Sequence, residues 1–297
     1  MQGGLSGPPV CFCRSGAWQR GPPRLRPARP PTGRKPPDDK PPDDDEARAQ
    51  SMTDTFASPA AIRIDCGPVT LSGRRVLEPL ALTLAERRIG IVGRNGSGKT
   101  TLLRLIAGLV APASGGVRMG EVDPFADRRG ALSAVGILFQ NPDHQILFPT
   151  VEEELAFGLT QQGRSRREAL AEAHRALAEA GRAHWASAAV STLSGGQRQF
   201  LCLLSVLLMR PQTLLLDEPF SGLDLPSIRR MERRLAGLSQ RLITISHDPA
   251  ALLGTERVIW LEAGTVRADG PAARVLAEYR AEMERLGAED ADADLAG

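Results

Sequence analysis

The chain predicts an α/β fold, with a mainly parallel sheet core, antiparallel β hairpins and an inserted α-helical subdomain. Three observations carry that reading. Short apolar runs alternate with helical patterns, as a parallel sheet covered on both faces requires. One such run, residues 89–92, feeds directly into Gly93-Arg94-Asn95-Gly96-Ser97-Gly98-Lys99-Thr100, a complete G-x-x-x-x-G-K-[ST] phosphate loop. Strand patterning then stops between Gln140 and Ser194, where helical signals take over.

Residues 1–55 are rich in Pro, Arg and Gly, carry the acidic run Asp43-Asp44-Asp45-Glu46, and hold almost no apolar periodicity. Such a segment buries too little surface to offset its chain entropy. It reads as a disordered extension or as the result of a start placed upstream of Met52. A basic arm for anionic lipid or RNA is the functional alternative. Residues 56–285 have the composition of one α/β domain, long enough for a sizeable core.

Within that domain, residues 89–92 are a buried strand, and Leu102, Leu103, Ile106 and Leu109 give residues 99–109 helical spacing. Further strands are expected at 135–139, 213–216 and 241–246, with a hairpin over 257–267 turning at Glu262-Ala263-Gly264. The helical subdomain, about residues 141–210, opens with two capping boxes, Thr150 to Glu153 and Ser165 to Glu168. A third, Ser194 to Gln197, starts a helix that ends before Pro211. A short amphipathic helix at 271–286 leads into an acidic tail, residues 286–297, that is expected to fray from Glu289.

Composition excludes several classes. A formal net charge of +2 gives no electrostatic case for nucleic acid. The longest apolar run, residues 200–209, is far short of the roughly 20 residues that span a bilayer. No signal-peptide pattern is present, so the protein reads as soluble or peripheral. Cys11 and Cys13 lack a second ligand pair for a metal site, and Cys202 sits in an apolar helix as core. Basic positions are almost all arginine. Of three lysines, Lys35, Lys40 and Lys99, only Lys99 lies in the folded part. A compact ammonium suits a phosphate loop better than a planar guanidinium, so compositional bias yields to chemistry there.

The phosphate loop is followed by Leu193-Ser194-Gly195-Gly196-Gln197-Arg198-Gln199 and then by Leu214-Leu215-Leu216-Asp217-Glu218-Pro219, with 23 positions from Ser194 to Asp217. In this order the three elements resemble the ATPase subunit of an ATP-binding-cassette (ABC) transporter, a phosphate-loop NTPase. The resemblance implies ATP and Mg²⁺ as ligands. It implies phosphate contacts from Gly93 to Thr101 (Gly93, Arg94, Asn95, Gly96, Ser97, Gly98, Lys99, Thr100, Thr101), and Mg²⁺ contacts from Thr100, Gln140 and Asp217. Glu218 would be the base that polarises water, His247 the switch histidine and Gln140 the Q-loop glutamine. Leu193, Ser194, Gly195, Gly196 and Gln197 would grip the γ-phosphate held by a second subunit. Ser221, Gly222, Leu223 and Asp224 match the D-loop that crosses the interface of a homo- or heteromeric cassette dimer. One departure stands out: the family usually places an adenine-stacking aromatic upstream of the loop. Residues 69–77 here offer only Leu71 and arginines, including Arg74 and Arg75.

The stretch Phe139-Gln140-Asn141-Pro142-Asp143-His144-Gln145-Ile146-Leu147-Phe148-Pro149-Thr150-Val151-Glu152-Glu153-Glu154-Leu155-Ala156-Phe157-Gly158 resembles energy-coupling-factor (ECF) importer ATPases, which energise uptake of vitamins and transition-metal ions. Among them the chain is most similar to biotin transporter ATPases, with cobalt and nickel ATPases close behind. The resemblance covers roughly residues 60–285. It implies an integral membrane scaffold and a small substrate-binding membrane subunit as partners, at the cytoplasmic face of the bacterial inner membrane. A soluble non-transport ABC ATPase is the alternative from a different class. Those proteins usually carry two cassettes or a long coiled-coil insertion, and neither pattern is present in this sequence.

Overall fold

The computed structural model describes residues 59–294; the extension expected over residues 1–55 lies outside them. Six strands form the central sheet in the order β11 (Thr265–Pro271), β10 (Arg257–Glu262), β5 (Arg88–Val92), β9 (Arg241–Ile245), β8 (Thr213–Asp217) and β7 (Val135–Leu138). The five from β10 to β7 run parallel, and β11 closes one edge as an antiparallel hairpin. Every residue of β8 and β9 is buried, as strands covered on both faces must be. The mainly parallel α/β sheet expected from the apolar runs is therefore present, with strand ends shifted by a residue or so.

A second, antiparallel sheet has the order β4 (Leu80–Leu84), β1 (Ile62–Cys66) and β6 (Gly115–Met119). Ile62, Ile64 and Cys66 face inward while Arg63 and Asp65 face out, the period-two pattern of a half-buried strand. The inner face packs on α1 (Lys99–Ile106) and the central sheet, giving one core that includes Leu77, Ile91, Leu103 and Ile243. Between β1 and β4, β2 (Val69–Leu71) and β3 (Arg74–Leu77) form a hairpin turning at Ser72-Gly73. A short helix, α2 (Arg128–Ala134), capped by Asp127, leads into β7.

Helices α3 (Val151–Gln161), α4 (Arg166–Glu179) and α5 (Gly195–Leu208) pack around Leu155, Ala173, Leu177, Trp185 and Leu201. Ser165 and Ser194 form the capping boxes their sequences predict. Thr150 does not. Its hydroxyl donates to Glu153 Oε2 at 2.6 Å, and the first-turn backbone of α3 receives no side-chain cap. Glu153 thus accepts from the Thr150 hydroxyl in place of a side-chain cap on the first-turn amides, while three acidic residues in that turn still complement the helix dipole. The last helices are α6 (Leu225–Ala236) and α7 (Ala272–Asp294). α7 continues past Glu289, where fraying was expected; its Ala- and Glu-rich sequence favours helix.

Arg241, the first residue of β9, is 1% exposed. Its guanidinium donates to the carbonyl oxygens of Glu86 (2.8 Å), Ala60 (2.6 Å), Pro59 (2.9 Å) and Ala85 (3.0 Å). One side chain thereby joins the central sheet to the segment entering β1 and to the turn before β5. Substituting Arg241→Leu should lower unfolding free energy by about 2–3 kcal/mol, because several carbonyls lose their donor. Urea denaturation reads this directly, and an unchanged midpoint would contradict the clamp.

Candidate functional site

Register places the candidate residues along one edge. Ile91 of β5 pairs with Ile245 of β9, Ile245 with Asp217 of β8, and Leu216 of β8 with Leu138 of β7. Adjacent strands lie about 4.8 Å apart. Residues just past these strand ends therefore share the crevice at the carboxyl edge, where open α/β sheets bind ligands. Those residues are Gly93, His247, Asp217 with Glu218, and Gln140.

The loop after β5 is held tightly. Ser97 N donates to Arg94 O (3.1 Å), Gly264 N donates to Ser97 O (3.1 Å), and Leu102 N donates to Gly98 O (2.8 Å). Gly93 (φ 151°) and Gly98 (φ 101°) both lie in the region that favours glycine. A Cβ at Gly93 would meet Leu261 O at 2.1 Å, and one at Gly98 would meet Leu77 Cδ2 at 2.6 Å. Arg94, Asn95 and Gly96 are exposed, whereas Ser97, Gly98, Lys99 and Thr101 are buried. Gly98 caps α1 without any side-chain bond, so the first-turn amides of α1 remain free to face an anion.

The charges at this edge fit a triphosphate. Lys99 Nζ donates to the carbonyl oxygens of Gly93 (2.7 Å) and Arg94 (2.9 Å). Burial pulls its pKa down, while the nearby Glu218 and Asp217 carboxylates pull it up. Ser97 Oγ is buried and has no hydrogen-bond partner. Asp217, 6% exposed, is pushed up by burial, and a hydrogen bond from the Thr100 hydroxyl works against that shift. A hydroxyl beside a buried carboxylate is a hard-oxygen pair of the kind Mg²⁺ accepts, so these residues fit that ion.

Glu218 follows Asp217 with φ 47°, a left-handed conformation costing about 1–2 kcal/mol for a non-glycine residue. The strained backbone is fixed by Glu218 N donating to Ile245 O (3.2 Å) and Ser221 N donating to Glu218 O (3.1 Å). Its carboxylate is brought to His247, with Oε2 lying 2.5 Å from Nδ1. The side chain of Glu218 is 13% exposed and that of His247 is 65% exposed, so the pair opens to solvent at the imidazole. Gln140 Nε2 donates to Ser221 Oγ at 3.4 Å. Among the described residues no hydrogen bond joins Gln140 to Thr100 or Asp217.

The Ser194 segment stands apart from this group. Ser194 Oγ accepts from Gln197 N (3.3 Å), and Gln197 Oε1 accepts from Ser194 N (2.7 Å). Ser194, Gly195 and Gly196 line a cleft of about 850 Å³ with Gly222, Leu223 and Asp224, and no phosphate-loop residue borders it. The β2–β3 hairpin with Arg74 and Arg75 lies next to the phosphate loop, through Leu77 against Gly98; Arg75 pairs with Glu78 at 3.1 Å.

Three residues here escaped the sequence reading. Gln199, 2% exposed, donates to Phe139 O (3.2 Å), and Arg198 Nε lies 3.1 Å from Asp143 Oδ1. Both tie the Ser194 helix to the segment around Gln140. Buried Glu154 accepts from the backbone amides of Leu147 (2.8 Å) and Phe148 (3.0 Å), and Leu147 is 67% exposed. The only available signal was a carboxylate and an amide at helical positions whose neighbours are apolar.

Glu218→Gln should leave ATP affinity intact and lower turnover about a hundredfold or more, read by steady-state hydrolysis beside equilibrium nucleotide binding. Lys99→Ala should weaken ATP binding itself; unchanged affinity would contradict the phosphate contact.

The ABC transporter family profile matches residues 77–221. The chain is 55% identical over 225 residues to the biotin transport ATP-binding protein BioM of Rhodobacter capsulatus, a match covering 75% of this chain and 96% of that protein. It is 39% identical over 221 residues to the nickel import ATP-binding protein NikO of the same organism, covering 69% and 87%. Among solved structures it resembles cbiO1 from Clostridium perfringens, part of the ABC transporter complex cbiONQ. That likeness has a TM-score of 0.63 and 25% identity, and covers 76% of this chain and 94% of that one. Motif order, fold and relatives agree: the chain belongs to the ABC transporter family, as an ATP-binding, ATP-hydrolysing subunit.

Proposed function

We propose that the protein energises a membrane importer of ECF type, with biotin as first candidate cargo. The observation that carries the cargo is the 55% identity to a biotin transport ATP-binding protein across almost that protein's whole length. The nickel import relative and the likeness to a cbiONQ component favour a cobalt or nickel importer as the second reading. No helix among the described residues is long and apolar enough to cross a membrane. The transporting pore would therefore be supplied by partners, an integral scaffold and a small substrate-binding subunit, at the cytoplasmic face of the bacterial inner membrane.

The chemistry follows from the carboxyl edge. The amides of Gly96 to Thr101, with Lys99 and the dipole of α1, hold the β- and γ-phosphates of ATP. Thr100 and Asp217, with Gln140 close by on the same edge, would hold Mg²⁺, which when bound draws charge from the phosphate oxygens. Glu218 orients a water and takes up its proton as the water oxygen bonds to the γ-phosphorus and the bond from that phosphorus to the β–γ bridging oxygen breaks, leaving ADP and inorganic phosphate. His247, bonded to Glu218, fixes that carboxylate and reaches the departing phosphate. The Ser194 cleft borders no phosphate-loop residue, so its amides serve a nucleotide held by a second cassette. Two sites form between two chains, and closure moves the Gln140 segment through Gln199 and Arg198.

Affinity purification of tagged protein from native membranes should recover a scaffold and a small integral protein, and biotin uptake should fall when Glu218→Gln replaces the wild type. Recovery from the soluble fraction alone would overturn the importer reading. A purified complex carrying cobalt or nickel in place of biotin would select the second cargo.

A further inference from the structure

The floor of the 850 Å³ cleft extends beyond the Ser194 segment. Phe200 lies five residues along α5 from Gly195, about 7.5 Å, and Arg234 lies ten residues along α6 from Asp224, about 15 Å. Over that length the cleft is lined by Arg182, Arg230, Arg233 and Arg234, against the single carboxylate of Asp224. Among the described residues no ion pair joins any of the four to a carboxylate. Neighbouring arginines are paired: Arg198 with Asp143, Arg229 with Glu232, and Arg164 with Glu172. Asp224 accepts from Ser227 N at 3.1 Å to cap α6 and is the one carboxylate that offsets part of the arginine charge.

Two of the guanidiniums are held in place by aromatic rings. Arg182 stacks 5.4 Å from the Trp185 centroid and Arg234 stacks 5.0 Å from that of Phe200. Stacking restrains the two planes, and Arg182 also donates to Gly181 O at 3.0 Å; the planar N–H fork of arginine suits phosphate oxygens. Asp224 offsets part of this charge through its attraction to Arg230; the excess of cations in one concave surface is self-repelling, and an anion of several charges relieves that repulsion. We propose that this arginine floor binds a soluble polyphosphate anion, at a site separate from the nucleotide on the phosphate loop. Because the cleft opens beside Ser194, occupancy hinders approach of a second chain; this consequence rests on the two-chain reading above, whereas binding itself does not.

The test uses the full chain carrying Lys99→Ala, which disables the phosphate loop, titrated with inorganic tripolyphosphate by calorimetry. Trp185 fluorescence, with Trp185→Phe as control, reports the location. One anion per chain with a change in Trp185 emission is expected. Arg230→Glu with Arg233→Glu should weaken binding about tenfold or more, since each charge-assisted pair contributes more than a factor of ten. Arg229→Glu, an equal charge change outside the cleft, should weaken it far less. Should the double reversal not fold, the corresponding Ala pair replaces it. Absence of binding, or equal effects from Arg229→Glu and a cleft reversal, would overturn the site. Binding to phosphatidylglycerol vesicles without binding to tripolyphosphate would overturn the soluble anion in favour of a lipid headgroup.

Discussion

Parallel pairing of β5, β9, β8 and β7 is the constraint on which the rest of the molecule depends. The pairing ends four strands at one edge, within a few residues of common register, and everything chemical begins where they stop. Because the two middle strands are wholly buried, a slip of one residue would turn Asp217 or Ile245 out of its setting and cost core contacts. The antiparallel sheet and the helices cover the faces of this sheet, and Arg241 locks the entry of the chain to it through four carbonyls.

At that edge the dominant cost is burial of charge. Lys99 and Asp217 are buried close to Glu218; burial pulls the lysine down and pushes the aspartate up, and the opposing charges around each work against those shifts. A buried hydroxyl without a partner and a strained glutamate backbone add further cost. Such features persist where the surroundings over-determine them, and they mark functional sites. A triphosphate held as proposed would offset several at once, giving Lys99 a counter-charge and the α1 amides their acceptors.

What the sequence reveals follows the range of the interaction responsible. The phosphate loop and the Ser165 and Ser194 caps are local, and their residue types are dictated within a few positions, so they are legible. The Thr150 cap reads equally well, yet Glu153 takes the hydroxyl instead of the backbone. The β4–β1–β6 sheet joins strands separated by tens of residues, and only the alternation of Ile62, Ile64 and Cys66 hints at it. Arg241 is hidden for a different reason. In a chain whose basic residues are nearly all arginine, nothing local separates a buried clamp from a solvated charge. The same bias conceals the clustered arginines of the cleft, which become visible only when the fold sets α5, α6 and the Trp185 turn around one space.

In the proposed arrangement each chain carries two half-sites too far apart to meet within it, one at the carboxyl edge and one at Ser194, each completed by a second chain. Sedimentation of the Glu218→Gln variant with and without ATP and Mg²⁺ is the decisive measurement. A monomer is expected without nucleotide and a dimer with it. Ser194→Arg in the same background should abolish the dimer while the monomer still binds ATP. A chain that stays monomeric when saturated with ATP, or a Ser194→Arg variant that loses ATP binding as a monomer, would contradict it.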